Sequence, residues 1–127
     1  MKTEKEHRQS VILIVDDDRD LLLVMAMKMK AEGYETYTSY NGQDLDNLIT
    51  AHRPDMILLD ITMDGVSGID ICRRLKAEAN TKAIPLLMFS ANRDLVKIAT
   101  TCGADDYLPK PFDILELKEK IKNFTGY

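Results

Sequence analysis

Three acidic residues stand in a row at Asp16-Asp17-Asp18, directly after the apolar run Val11-Ile12-Leu13-Ile14-Val15. A second apolar run, Met56-Ile57-Leu58-Leu59, ends in the same way on Asp60. A third, Pro85-Leu86-Leu87-Met88-Phe89, ends on Ser90, and a short fourth, residues 106–108, stops just before Lys110. If these ends meet, the chemistry they could do is narrow. Carboxylates at short range disfavour one another's ionisation, so Asp16, Asp17 and Asp60 together require a positive partner. A hard divalent cation such as Mg²⁺, or Mn²⁺ in its place, takes oxygen ligands and typically uses one or two carboxylates while bridging to phosphate. Lys110 would bring a compact positive charge to phosphoryl oxygens and Ser90 a hydroxyl donor. Such a set suits phosphoryl transfer, where catalysis is mainly positioning and charge stabilisation.

For these residues to meet, the runs that carry them must lie side by side. Short, uninterrupted apolar runs rich in β-branched residues suit strands buried on both faces. Between them the spacing predicts helices. Asp18 is placed to cap one whose apolar positions run from Leu21 to Met29 and which Gly33 ends. Residues 34–39 alternate like a strand. Leu45, Leu48 and Ile49 mark a second helix, broken by Pro54. A Gly-bearing loop over residues 62–68 leads to a third with Ile69, Cys72 and Leu75 on one face. Leu95, Ile98 and Ala99 mark a fourth, ended by Gly103, and Ile114, Leu117, Ile121 and Phe124 form the apolar stripe of the last. Five strands alternating with five helices imply an α/β domain, a doubly wound parallel sheet covered on both faces. In such sheets polar ligands bind beyond the carboxyl ends of the strands, where Asp16, Asp17, Asp60, Ser90 and Lys110 fall.

Composition narrows the class. At 127 residues the chain is sized for one domain, read as a polar tail over 1–9, a folded unit over 10–124 and a short end at 125–127. A formal charge of −4 with no basic stretch argues against a direct nucleic-acid partner. The longest apolar stretch, residues 21–27, is far too short to cross a bilayer, and no signal-peptide pattern follows the polar start; a cytoplasmic protein without a membrane partner is expected. Cys72 and Cys102 lack the spacing of a zinc site or redox pair and read as small buried hydrophobes. His7 and His52 read as surface residues. Met25, Met27 and Met29 read as core and surface filler.

Taken together, the segments Ile12-Leu13-Ile14-Val15-Asp16-Asp17-Asp18, Ile57-Leu58-Leu59-Asp60-Ile61-Thr62-Met63, Gly68, Phe89-Ser90-Ala91 and Tyr107-Leu108-Pro109-Lys110-Pro111-Phe112 resemble the receiver domain of two-component response regulators. The resemblance spans residues 10–124, and its strength lies in the order and register of all five segments. It implies a flavodoxin-like, chemotaxis-regulator-like fold with strand order 2-1-3-4-5. It also implies a phosphorylation-switched signalling protein that catalyses only its own phosphorylation and dephosphorylation. Carried over residue by residue, Asp60 matches the phosphoacceptor, Asp17 the direct metal ligand, Asp16 the ligand acting through water, and Thr62 the residue lending a backbone carbonyl to Mg²⁺. Ser90 matches the switch hydroxyl, Tyr107 the aromatic that follows it, and Lys110 the basic partner, with a cis bond expected before Pro111. The implied partners are a sensor histidine kinase or phosphotransfer protein and a downstream protein or effector domain, with a phosphorylation-dependent homodimer as one output. The family's usual Met-Pro after the phosphoacceptor is here Met63-Asp64, which adds a negative charge near the site.

Other readings explain less. Capping accounts for Asp18 but for neither Asp60 nor Lys110. Asp16, Asp18 and Asp20 begin like a calcium loop, yet Leu21 stands at its glycine position and Met27 at its glutamate position. Residues 65–68 lack the closing glycine of a nucleophile elbow, and no glycine-rich loop follows the first strand. Asp16 and Asp18 also match the nucleophile and acid of haloacid-dehalogenase-like phosphatases; this aspartyl-nucleophile enzyme is the alternative. The resemblance leaves open both a free-standing receiver and one belonging to a longer regulator or hybrid kinase.

Overall fold

The computed structural model describes residues 9–63 and 65–126. The expectations for His7, for the greater part of the 1–9 tail and for Asp64 lie outside the described residues. In chain order the elements are β1 (Val11–Val15), α1 (Arg19–Ala31), β2 (Glu35–Ser39), α2 (Leu45–His52), β3 (Met56–Asp60), β4 (Thr62–Met63), β5 (Val66–Ser67), α3 (Gly68–Ala77), β6 (Leu86–Ser90), α4 (Leu95–Cys102), β7 (Asp106–Pro109) and α5 (Ile114–Thr125). The main sheet runs β2-β1-β3-β6-β7, all parallel. Counting its five strands alone, this is the 2-1-3-4-5 order of a flavodoxin-like fold.

β1, β3 and β6 are buried at every residue, as apolar runs without alternation require. Because successive side chains leave a strand on opposite faces, each run feeds two cores. Leu13, Val15, Ile57, Leu59 and Met88 pack with Leu45 and Ile49 of α2, Cys72 and Leu75 of α3, and Leu95 and Ala99 of α4. Ile12, Ile14, Leu58, Leu87 and Phe89 pack with Leu22, Met25 and Met29 of α1 and with Leu117 and Ile121 of α5. Asp18 caps α1 by accepting from Leu21 N–H at 3.1 Å. Asp113 and Glu116 form a reciprocal capping box at the start of α5. Gly33 and Gly103, both at positive φ, follow α1 and α4 as expected.

Several details differ from the sequence reading. The 62–68 loop holds a two-stranded antiparallel hairpin, Thr62 opposite Ser67 and Met63 opposite Val66, too short for any alternation to reveal. The second helix does end ahead of Pro54, at His52 as read, and the turn out of it is made by Arg53, left-handed at φ +47°. His52 is half-buried and stacks on Tyr37 with ring centroids 3.6 Å apart. Phe124 leaves the α5 stripe and is exposed. On α1, Met25 and Met29 are buried, whereas Leu23, Val24 and Met27 face solvent, so this helix is apolar on both sides. No helix among the described residues is long and apolar enough to cross a membrane.

Candidate functional site

Register brings the strand ends together. Val15 pairs with Leu59, so the next residues, Asp16 and Asp60, are neighbours across β1 and β3. Asp60 pairs with Phe89, and Ser90 pairs with Pro109, so Ser90 and Lys110 lie one step further across the same edge. Asp16 is wholly buried and Asp60 is 5% exposed, while Asp17 faces solvent. Each of the three places one carboxylate oxygen within 4.8 Å of the others.

Lys110 is the counter-charge. Its Nζ lies 2.7 Å from Asp16 Oδ2 and 3.5 Å from Asp60 Oδ1, and 4.9 Å from the centre of the Phe89 ring. The Lys110–Pro111 peptide bond is cis, as the resemblance implied, and Lys110 N–H donates to Ser90 C=O at 2.9 Å. Asp16 Oδ1 accepts from Asp18 N–H at 2.9 Å. With both oxygens engaged and no exposure, Asp16 is poorly placed to attack a substrate, which removes the structural basis for the phosphatase alternative. Asp60 Oδ1 accepts from Ile61 N–H at 3.0 Å. Burial, then the neighbouring Asp16 charge, push the Asp60 carboxyl up to about 6, with Lys110 opposing them.

Of the remaining predicted residues, Ser90 is buried and its Oγ accepts from Asn92 N–H at 3.1 Å, which ties it to the turn that follows β6. Thr62 is exposed on the hairpin and shares with Asp17 a polar cavity of about 770 Å³. Tyr107 stands apart, half-buried on β7 against the core beneath α4.

The sequence reading missed the far wall of that cavity: Arg19, Tyr40, Asn41 and Gln43, with the Arg19 guanidinium 4.3 Å from the centre of the Tyr40 ring. It also missed Ser39. This buried hydroxyl donates to Asp44 at 2.6 Å and accepts from Gly42 N–H at 3.0 Å, while its carbonyl accepts from Asp16 N–H at 3.1 Å. The signal was available, since β2 ends on a polar residue just as β3 and β6 do, and as β1 is followed by one. Hard oxygen donors from three carboxylates around one point fit a divalent cation such as Mg²⁺, with Asp16, Asp17 and Asp60 as the residues to hold it.

Comparison with known proteins gives the family and the fold. The profile of the response regulator receiver domain matches residues 12–122. The DNA-binding response regulator MtrA of Mycolicibacterium paratuberculosis is 35% identical over 113 residues, which cover 87% of this chain and 49% of MtrA. The chain thus spans about half the length of the curated relatives it matches. Among solved structures, the receiver domain of a signal transduction histidine kinase from Syntrophus aciditrophicus superposes with a TM-score of 0.84 at 28% identity, covering 92% of this chain and 90% of that one. The chemotaxis response regulator CheY4 of Vibrio cholerae shares the fold, with a TM-score of 0.82 at 23% identity, covering 91% and 98% of the two chains.

Proposed function

Because the chain belongs to the response regulator receiver family, we propose that its phosphoryl group is carried by Asp60, accepted from a phosphohistidine of a sensor kinase or phosphotransfer protein. The observation that carries this reading is the ammonium of Lys110, held 2.7 Å from Asp16 and 3.5 Å from Asp60 at the rim of an acidic triad. Asp60 is the member of that triad that ends the central strand, and its near-complete burial limits competition from water.

In this mechanism an oxygen of the Asp60 carboxylate attacks phosphorus in line with the donor's imidazole nitrogen, the O–P bond forming as the N–P bond breaks and the donor histidine leaves as its free imidazole. Lys110 turns from Asp16 toward the transferred group and neutralises one of its oxygens, and the Ser90 hydroxyl donates to another after leaving Asn92. Asp16, Asp17, Asp60 and the Thr62 carbonyl would hold Mg²⁺, which would supply charge neutralisation for the transferred group. Loss of the group by hydrolysis resets the switch, so the chain is a signalling component whose only turnover is its own.

The donor is a protein. An apolar groove of about 580 Å³, walled by Leu21, Val24, Met25, Pro111 and Phe112, opens beside Lys110 between α1 and the β7–α5 connection. It suits the apolar stripe of a donor helix carrying its phosphohistidine to Asp60. Output leaves from α4, β7 and α5: movement of Ser90 and Tyr107 toward the phosphoryl group reshapes the face between them for a downstream protein, an effector domain or a second copy. We assign the switching unit to residues 10–124, acting in the cytoplasm.

The test is intact mass after incubation with a small phosphodonor and Mg²⁺. The wild-type chain gains one phosphoryl group and Asp60→Asn gains none. An Asp60→Asn variant that still gains one overturns the assignment.

A further inference from the structure

Asp106 and Tyr107 are consecutive on β7, an edge strand, so their side chains leave on opposite faces of the sheet. Lys120 of α5 reaches both. Its Nζ lies 3.1 Å from each carboxylate oxygen of Asp106 and 5.6 Å from the centre of the Tyr107 ring. Asp106 Oδ1 also accepts from the backbone N–H of Tyr107 at 2.7 Å. One carboxylate therefore restrains both the backbone that carries the ring and the ammonium that lies over it. The Lys120 and Asp106 side chains are 30% and 23% exposed, shielded enough to be ordered yet free to separate. The clamp coexists with an arrangement in which Ser90 Oγ is tied to Asn92, turned to its own loop.

We propose that Lys120 is a positioning residue for Tyr107, holding it in the arrangement that opposes phosphorylation. This rests on the reading above, in which Asp60 takes the phosphoryl group and Tyr107 moves with Ser90. A contact present in one arrangement and absent from the other lowers affinity for the phosphoryl group by the same factor by which it favours the first. A partly shielded ion pair and a surface cation–π contact bound that factor at about two- to fivefold.

The test uses the whole chain with 3-fluorotyrosine incorporated, the Tyr107 resonance being assigned by its loss in Tyr107→Phe. Beryllofluoride with Mg²⁺, a phosphoryl mimic, is titrated into wild type, Lys120→Met and Lys120→Arg, and into Tyr107→Ala with and without Lys120→Met. Lys120→Met keeps the stem and loses the charge, so it should bind the mimic about two- to fivefold more tightly, while Lys120→Arg stays near wild type. In the Tyr107→Ala background, Lys120→Met should change nothing. Unchanged or weaker binding by Lys120→Met overturns the inference, as does an equal gain without the Tyr107 ring. A wild-type chain that binds no beryllofluoride overturns the Asp60 reading and this inference with it. Binding by wild type with an unaltered Lys120→Met overturns this inference alone.

Discussion

The α-carbon of Gly68 rests against the backbone of Asp60 so closely that a methyl group there would overlap the Asp60 carbonyl oxygen, and Gly68 N–H donates to the next carbonyl, that of Ile61, at 2.6 Å. The first residue of α3 thus sits directly on the strand end that presents the candidate phosphoacceptor. Both obstructing groups are main chain and cannot rotate away. Gly68→Ala should destabilise the fold by about 3 kcal/mol, the upper range for overpacking, and shift Asp60 out of line. Urea midpoints and phosphorylation by a small donor check this; a variant with wild-type midpoint and phosphorylation would show that the loop yields without consequence.

Asp60 should also make the metal-free fold depend on pH. Its carboxyl is raised from 3.8 to about 6, so the folded chain holds the proton more tightly than the unfolded one. The contribution from the neutral carboxyl is therefore fully present below about pH 4 and lost as pH rises through about 6. Asp60→Asn keeps the shape without the charge, and in chelator it should exceed wild-type stability by on the order of 2 kcal/mol at pH 7 and by only about 0.5 kcal/mol at pH 4. Denaturant midpoints at the two pH values measure the difference. An advantage equal at both would place its origin elsewhere.

Millimolar Mg²⁺ should raise the melting temperature of the wild-type chain, because it relieves repulsion among Asp16, Asp17 and Asp60 and binds only where the fold gathers them. Asp17→Ala removes one of the three mutually repelling charges, so it should leave the metal-free melting temperature unlowered or slightly raised while abolishing the gain. A gain of the same size in Asp17→Ala would place the cation elsewhere.

The two cysteines should be silent in the folded chain. Cys72 is fully buried with its thiol pushed up to about 12 by burial, and Cys102 is 5% exposed with its thiol raised for the same leading reason. An aromatic disulfide reagent at pH 8 should react with neither in the native protein and with both in denaturant, since thiolate and access are each required. Stoichiometric reaction with the native chain would show that α3 and α4 part more readily than their packing implies.

The parts of this protein legible in the sequence are those written in local pattern. Residues 11–15, 56–59 and 86–89 are apolar throughout because a strand covered on both faces has no solvent side on which to place a polar residue. For the same reason Asp16, Asp60 and Ser90 stood out as the polar residues that end or follow these runs, and Asp18, Gly33 and Gly103 were readable as helix punctuation. The strand order came with the family resemblance, since no residue within a strand names its neighbour.

What only the tertiary structure decided are choices made between distant segments. Lys110 lies nearer to Asp16 than to Asp60, two carboxylates it could equally have paired with. Ser39 organises the loop beside Asp16, Cys72 Sγ sits 3.6 Å from the carbonyl of Cys102, and Lys120 spans Asp106 and Tyr107. These contacts depend on strand register and helix placement to within about an ångström. Periodicity and residue type record which face a side chain occupies, but a hydrogen bond is settled by distances of about 3 Å that only the assembled chain defines.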